Sequence, residues 1–428
     1  MSQTRALPAS LLRHPWTVPV VVAAAVAAAF VAPPLLASAG DADLPDLTAQ
    51  ELLAQVVAAE PVPLAGTVVY TARLGLPEIP LTEATGADPI ALLGGSSTLR
   101  VWTDGTERSR VSLLGSVSEY SVVADGAQMW TYDSSEDVVT HYAMSDADAA
   151  ALEAMTDEAR ERALAERAAT LPTPDEAARM ALEKADEFST VTLDAQTTIA
   201  GRGAYQLVVT PRGTGSLVAR VVIAVDAETS VPLRVQTWST QDAQAPAVEI
   251  AFTDVSFTTP TDAVLSFSPP AGAQVREVVV PLPSEPVDAP QVDPSQLEGI
   301  EGPADLAAAG LLPDGVTITG TGWETVLELA DVDVAAMIAG DPAALASMAG
   351  SERLIGSESG QELVDEFMPS DEDGSMGMQL DAAALYQQLT TEVDGGRLLS
   401  STLLSVLVTD DGRVLVGAVP AQTLRDLA

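Results

Sequence analysis

The chain of 428 residues is long enough for two or three domains. It carries 61 acidic and 20 basic residues, for a formal net charge of −41, and such a surface repels phosphates and argues against nucleic acid as a partner. It contains no cysteine, which excludes disulfides, thiolate catalysis, thiolate metal sites and a lipidated N-terminal cysteine.

Residues 1–40 have the pattern of a membrane-targeting segment. Arg5 and Arg13 precede an uncharged run from Trp16 to Gly40, and basic residues before an apolar run direct the following chain out of the cytoplasm. The run is near the ~20 residues that span a bilayer, while the stretch ASA at 37–39 has the form of a cleavage site. The pattern predicts a signal peptide or an N-terminal transmembrane anchor. In both cases the remainder is expected to be extracytoplasmic, secreted or held at the cell envelope.

A helix and a run of strands follow. Thr48 and Glu51 form a capping box at the start of a helical apolar stripe. In the stretch GTVVYTARLGL, which begins at Gly66, alternate residues share one face of a strand, among them Val68 and Tyr70. Five more short strands, several bounded by Asp-Gly or Ser-rich turns, predict an antiparallel meander: TLRVWTDG, RSRVSLLG, EYSVVADG, AQMWTYDS and DVVTHYAM.

The period then becomes helical before strands resume. Residues 145–168 predict one helix, and a second begins at Thr173, has Pro174 in its first turn and ends near Phe188. Four strands follow, with the sequences AYQLVVTP, LVARVVIAVDAE, VPLRVQTWS and AVEIAFTDVSF. The stretch LSFSPPAGAQV alternates like a strand and then stops at two prolines, which cannot donate to a sheet ladder. It is predicted to end the series, with VREVVVPLP as a final edge segment.

Residues 282–305 are rich in proline and acid and lack periodicity, which is typical of a linker. We expect them to separate a domain over residues 47–281 from a small α+β C-terminal domain over residues 306–428. In the second domain, DGVTITGTGWETVLEL and GRLLSSTLLSVLVTDDGRVLVGAV predict strands, the latter a hairpin that turns at Asp410-Asp411-Gly412. Ala-rich helical stretches and an acidic loop at 369–376 lie between them.

Residues that usually carry catalysis are scarce. His14 precedes the membrane segment and His141 is predicted at a strand end, so the folded part cannot assemble a Ser-His-Asp triad or a histidine metal cluster. The stretch GSESG at 356–360 has the wrong order for a nucleophile elbow, and the acidic run at 371–373 lacks the spacing of a calcium loop. Carboxylates suffice for a glycosidase pair, but none is singled out and aromatic residues are few. We therefore expect a non-enzymatic protein without metal or cofactor.

The order of the elements and three short motifs carry a resemblance to a known family. The motifs are DGAQMWTYDSSEDVVTHY, VDAETSVPLRVQTW and FSPPAGAQV. They resemble the LolA/LolB lipoprotein-carrier superfamily, whose fold RseB-type periplasmic sensors and the LprG and LppX lipid carriers share, and the chain looks most like the actinobacterial LolA-type proteins. The resemblance spans about Leu47 to Pro281. It implies an α+β fold in which an antiparallel, eleven-stranded half-barrel is closed by helices, and the C-terminal domain lies outside it.

The half-barrel that the resemblance implies has an apolar concave face suited to an acyl chain. The residues predicted for the cavity wall each lie on the apolar face of their strand, and they are Val68, Tyr70, Leu74, Val101 and Tyr120. A fully buried acyl chain of sixteen carbons would contribute on the order of 10 kcal/mol before entropy losses, at about 0.8 kcal/mol per methylene. The alternative is that these residues only pack on the helices as ordinary core.

A long loop between the first two strands is a candidate lid for this cavity. It spans Pro77 to Ser97, whereas hairpin loops usually have about 2–5 residues. Its apolar residues Ile90, Leu92 and Leu93 lie between proline and glycines, so we hypothesise that they fold over the concave face and contact ligand or membrane. The alternative is a solvated insertion with incidental apolar residues.

Two roles follow from the resemblance. The first is an extracytoplasmic protein that binds an acylated lipid or lipoprotein, and the second is an envelope sensor of the RseB type that acts on a membrane-bound partner. A chain anchored to the cytoplasmic membrane by its N-terminus could not shuttle freely, and a simple carrier has no C-terminal domain. Both departures favour the sensor.

Overall fold

The computed structural model describes residues 44–77, 87, 89–126, 128–144, 150, 174–279, 312, 315–338 and 382–428. The predicted N-terminal segment, the linker over 282–305, the acidic loop at 369–376 and almost all of the predicted helix over 145–168 lie outside these residues. In the described ranges, no helix is both long enough and apolar enough to cross a membrane.

Twelve strands form one open sheet. In chain order they are β1 (Leu64–Ala72), β2 (Gly95–Thr103), β3 (Arg108–Leu114), β4 (Glu119–Asp125), β5 (Gln128–Asp133), β6 (Val138–Ala143), β7 (Ser189–Ile199), β8 (Arg202–Pro211), β9 (Val218–Asp226), β10 (Pro232–Ser239), β11 (Val248–Ser256) and β12 (Gln274–Val279). Their order across the sheet is β12-β6-β5-β4-β3-β2-β1-β11-β10-β9-β8-β7. Neighbours are antiparallel, except that β12 runs parallel to β6. The meanders β1–β6 and β7–β11 meet where β1 pairs with β11.

The α+β class and the antiparallel sheet are confirmed, but two strand predictions are wrong. The sheet has twelve strands, whereas the resemblance implies eleven. The sequence analysis also missed β7, because a register shift between Asp194 and Thr197 breaks the alternation of this strand. In LSFSPPAGAQV, the predicted strand does not form: Leu265 is the last residue of a short helix, α3 (Asp262–Leu265), and residues 266–270 have no regular structure. The helix is closed by a 2.8 Å hydrogen bond from Ser266 N to Asp262 O. The two prolines follow α3, and β12 is the predicted edge strand.

The sheet has two chemically different faces, because residues paired across neighbouring antiparallel strands point to the same side. We call one the apolar face, and its members by register are Val68, Tyr70, Ala72, Leu99, Val101, Val111, Leu113, Tyr120, Val122, Val191, Leu193, Tyr205, Leu207, Val209, Val221, Ile223, Val225, Val235, Val248 and Ile250. We call the other the arginine face, and it carries Arg100, Arg108, Arg110, Arg202, Arg220 and Arg234 together with Gln206, Gln236 and Trp238.

Helices lie on the sheet at several places. α1 (Ala49–Ala58) begins at the predicted capping box, in which Glu51 N donates to Thr48 Oγ1 over 3.2 Å and Thr48 N donates to Glu51 Oε2 over 2.7 Å. Leu52 of α1 is buried against apolar-face residues of β8 and β9. α2 (Pro174–Phe188) contacts both α1 and β7, while α3 contacts β2, β3 and β4.

A second, smaller sheet follows in the chain. Its strands are β13 (Val316–Thr319), β14 (Val326–Leu329), β15 (Thr391–Val393), β16 (Gly396–Ser400), β17 (Ser405–Thr409) and β18 (Val414–Gly417), in the order β13-β14-β18-β17-β16-β15. Among the described residues of this part, the helices are α4 (Val334–Ile338), α5 (Ala382–Leu389) and α6 (Ala421–Leu427). β17 and β18 form the predicted hairpin, which turns at Asp410-Asp411-Gly412. The buried core of this second sheet and α6 includes Leu407, Leu415 and Leu424.

Candidate functional site

The residues predicted for the cavity wall lie together in the structure. A central cluster is built on the buried residues Val68, Val69, Tyr70, Ala72, Ala87, Leu99, Leu113, Val248 and Ile250. Val68 and Tyr70 are thus buried members, while Leu74, Val101 and Tyr120 pack against the cluster as partly buried residues. Tyr70 is only 1% exposed, and its burial raises the pKa of its hydroxyl to about 12. Leu74 lies beyond the end of β1, which stops at Ala72.

The predicted lid residues lie in a short 3₁₀-helix, η1 (Pro89–Leu93), which contacts β1 and β2. Leu92 packs against the central cluster, whereas Leu93 is 38% exposed. The side chain of Ile90 and residues 78–86 of the loop lie outside the described part. Just before η1, Ala87 is buried and its N–H donates to Ser118 Oγ over 2.7 Å. This end of the loop is therefore held against the sheet.

A second segment reaches the same cluster from the C-terminal part of the chain. Leu403, in the loop between β16 and β17, packs against the central cluster and also against a neighbouring cluster on β8, β9 and β10. Thr402 fastens this loop to the ends of the first sheet: its N–H donates to Leu74 O over 2.8 Å and its hydroxyl to Arg73 O over 3.1 Å. Ser239 Oγ donates to Thr402 O over 2.6 Å. Sequence reasoning did not connect these loops, because no local pattern in either of them identifies the other.

A third contact joins the two sheets beside α2. Trp323 Nε1 donates to Ser189 Oγ over 2.8 Å, and Glu324 Oε1 accepts from Gly215 N over 2.8 Å. Gly322 has φ +57°, and a Cβ there would lie 2.6 Å from the Phe188 ring, so only glycine fits both the backbone and the packing.

A groove on the arginine face was missed by the sequence prediction. It encloses about 450 Å³ over β7–β10, within the usual range of ligand sites. Its lining residues are Thr192, Leu193, Asp194, Gln206, Val208, Arg220, Val222, Gln236 and Trp238. The guanidinium of Arg220 lies over the Trp238 ring, 4.2 Å from its centroid. The alternation of polar residues in VPLRVQTWS is the signal that could have pointed here, but the other strands of the groove appear only in the folded sheet.

His141, the only histidine that the structure describes, makes structural contacts. Its Nδ1 lies 2.6 Å from Glu277 Oε2 of β12, and its ring stacks on Trp130 with 4.8 Å between centroids. These contacts connect the edge strand β12 to β5 and β6. Within the described ranges, no group of three or more His, Cys, Asp or Glu side chains is arranged to hold a metal ion.

No protein-family model matches the chain, and neither does any curated protein. Among solved structures, it is similar to the MucA/MucB complex of Pseudomonas aeruginosa, with 15% identity over 88% of this chain and 96% of that chain and a TM-score of 0.37. It is also similar to a conserved protein of Thermus thermophilus (16% identity, 54% and 98% covered, TM-score 0.30) and to a LolA superfamily protein of Nitrosomonas europaea (12%, 52% and 99%, TM-score 0.19). At identities of 12–16% and TM-scores of 0.19–0.37, these similarities carry no conclusion about the function of this chain.

Proposed function

We propose that this protein is a non-enzymatic, extracytoplasmic binder that holds the acyl chain of a lipid or lipoprotein against the central cluster. The proposal rests on one observation: Leu92 and Leu403, which come from two loops outside the first sheet, pack against the same buried apolar residues. An acyl chain that replaces these two side chains would meet the predicted wall. Val68 and Tyr70 are buried in this structure, so binding requires at least one of the two loops to move.

The energies allow such an exchange. Withdrawing two partly buried leucines costs about 2–3 kcal/mol, if each loses roughly half of the stabilisation of a fully buried leucine side chain. A sixteen-carbon acyl chain at about 0.8 kcal/mol per methylene offers on the order of 10 kcal/mol before entropy losses. Burial of only half of that chain would already outweigh the cost of moving both loops.

The second candidate function is an envelope sensor that acts on a membrane-bound partner. It is favoured by the position of Leu403, which belongs to the C-terminal part of the chain and yet covers the proposed acyl site. A ligand that displaces Leu403 would weaken the contact between the two sheets. A partner that recognises the C-terminal part could respond to that change. Domain boundaries at residues 47–281, 282–305 and 306–428 are part of this proposal.

Mass spectrometry of the full-length chain after mild extraction tests the binding function. We expect a bound acylated molecule in the wild type and its loss in a Leu92→Asp, Leu93→Asp double variant with unchanged far-ultraviolet circular dichroism. Val117→Asp is the matched control, because Val117 is 87% exposed and contributes little buried surface. Wild-type stoichiometry in the double variant would eliminate η1 as a lid. A wild-type chain free of lipid that co-purifies with a membrane protein would favour the sensor.

A further inference from the structure

The groove over β7–β10 carries no net charge of its own. Its lining contains one guanidinium, that of Arg220, and one carboxylate, that of Asp194. The same balance holds beside the groove, since Glu249 lies level with Gln236 in β11 and acts electrostatically on Arg234. An anionic ligand would meet the repulsion of a chain with a net charge of −41, and a cationic ligand would meet Arg220. These charges therefore favour a neutral ligand, which is recognised by hydrogen bonds and by shape.

The floor of the groove is polar at both ends and apolar in the middle. Strand register places four lining residues in one row across β7, β8, β9 and β10, and they are Thr192, Val208, Val222 and Gln236. The two ends of this row are separated by three strand spacings, or about 14 Å. An acyl chain along the row would leave the hydroxyl and the amide at its ends without hydrogen bonds, which is costly. The floor instead suits an elongated ligand that has apolar and polar surfaces.

The walls of the groove supply hydrogen-bonding groups in fixed positions. The guanidinium of Arg220 lies over the Trp238 ring, 4.2 Å from its centroid, and this stack orients its N–H donors. Trp238 Nε1 is buried and has no acceptor within the part of the chain that the structure describes. Buried donors are normally paired, and an unpaired one usually marks a missing partner such as a ligand or water. On the opposite wall, Asp194 Oδ1 accepts from Ala195 N over 2.8 Å, and the second carboxylate oxygen can accept from a ligand.

We propose that this groove binds a short chain of a neutral saccharide. A sugar ring has apolar C–H faces, and each hydroxyl on its rim can both donate and accept a hydrogen bond. The C–H faces would lie on Val208 and Val222. Hydroxyls on the rim would accept from Arg220 and Trp238 and would donate to Asp194. The site lies on the other face of the sheet from the proposed acyl site, so this assignment goes beyond the function proposed above.

An extended neutral peptide fits the groove less well than a saccharide. β8 and β9 are each paired with a strand on both sides, so their backbone N–H and C=O groups are already used within the sheet. A peptide that binds to a sheet normally adds as a strand at a free edge. On this face its backbone groups would depend on side chains alone, whereas the hydroxyls of a saccharide need only side-chain partners.

Isothermal titration calorimetry of the full-length chain with maltotriose, cellotriose and mannotriose tests the proposal. We expect saturable binding of at least one trisaccharide, with a dissociation constant that does not depend on salt concentration, because the ligand is uncharged. Gln236→Leu should weaken binding about tenfold, equivalent to about 1.4 kcal/mol, since it removes the amide at one end of the floor and nearly keeps the side-chain size. Gln274→Leu is the matched control, because Gln274 is exposed on β12, at the opposite end of the strand order from the groove. Both variants should keep the wild-type melting temperature.

Nuclear magnetic resonance of the indole N–H groups locates the bound saccharide. The chain has five tryptophans, and the signal that disappears in Trp238→Phe belongs to Trp238. This signal should shift as saccharide is added, because Nε1 gains an acceptor, whereas the other four signals should not move. A shift of other indole signals alone would place the saccharide elsewhere and overturn the assignment.

Three further outcomes would overturn the proposal. Absent binding of all three trisaccharides, or equal weakening by Gln236→Leu and Gln274→Leu, would show that the groove is not a saccharide site. Binding of trigalacturonic acid without the neutral trisaccharides would assign the groove to an anion. Binding of a peptide of alternating Gln and Val, again without the trisaccharides, would assign it to a peptide. None of these results would affect the acyl site, which is measured separately by mass spectrometry.

Discussion

Leu403 offers a direct measure of how strongly the C-terminal part is held on the first sheet. Leu403→Ala removes three carbon groups, which are worth about 2.4 kcal/mol when fully buried at about 0.8 kcal/mol each. Leu403 is only partly buried, so we expect a loss of about 1 kcal/mol in the free energy that holds the loop against the central cluster. A loss of this size raises the population of the locally open state about fivefold.

Hydrogen–deuterium exchange can measure this effect at two backbone amides whose hydrogen bonds form only while the two sheets are in contact. Thr402 N donates to Leu74 O over 2.8 Å, and Leu217 N donates to Ala418 O over 2.7 Å. Both should exchange about fivefold faster in Leu403→Ala. Leu404→Ala is the matched control, since Leu404 is the next residue in the same loop and is 39% exposed. The reasoning is refuted if Leu404→Ala has the same effect, or if Leu403→Ala leaves both exchange rates unchanged.

Two further changes test the packing around the site. Burial alone would raise the pKa of Asp226, but hydrogen bonds from Arg202 and from neighbouring residues outweigh burial and lower this pKa. The ion pair between Arg202 and Asp226 therefore stabilises the fold at pH values above the unfolded-state pKa of Asp226. This stabilisation is lost as the pH falls through the folded-state pKa. Asp226→Asn should therefore lower the free energy of unfolding, measured with urea at neutral pH, by about 2–3 kcal/mol. The difference in this free energy between variant and wild type should become smaller below about pH 5. A difference that does not change with pH would contradict the ion pair. Gly322→Ala should destabilise more than Gly126→Ala, because both have positive φ but only Gly322 faces a ring, that of Phe188. Equal melting temperatures would contradict that contact.

The first half of the sheet could be predicted well because its strands alternate strictly and end at clear turns. β2 to β6 each coincide with a predicted segment, and α1 begins at the predicted capping box of Thr48 and Glu51. Prediction failed where local conformation departs from a regular period. The register shift in β7 interrupts its alternation, and the helical turn ending at Leu265 places one apolar residue on the sheet without extending as a strand.

The candidate site divides in the same way. Val68, Tyr70 and Val101 could be grouped from alternation within single strands, and the structure does bring them into one cluster. Leu403 could not be found, since its proximity to Tyr70 depends on how the second sheet lies on the first. The groove on the arginine face was missed for a related reason. Arg220 and Trp238 are neighbours only through strand register, which no local pattern specifies.

The pairing of β1 with β11 has a consequence for how the protein folds. Tyr70 and Ile250 are opposite each other in this ladder and yet 180 residues apart in the chain. The meanders on each side pair strands that are mostly adjacent in sequence, and such contacts form quickly. The central pair of β1 and β11 can form only after nearly the whole first sheet has been synthesised. Until then one long edge of β1, including Val68 and Tyr70, has no strand beside it. Joining the two halves is therefore expected to be the slow step of folding, and a chain truncated before β11 would expose an apolar strand edge prone to aggregation.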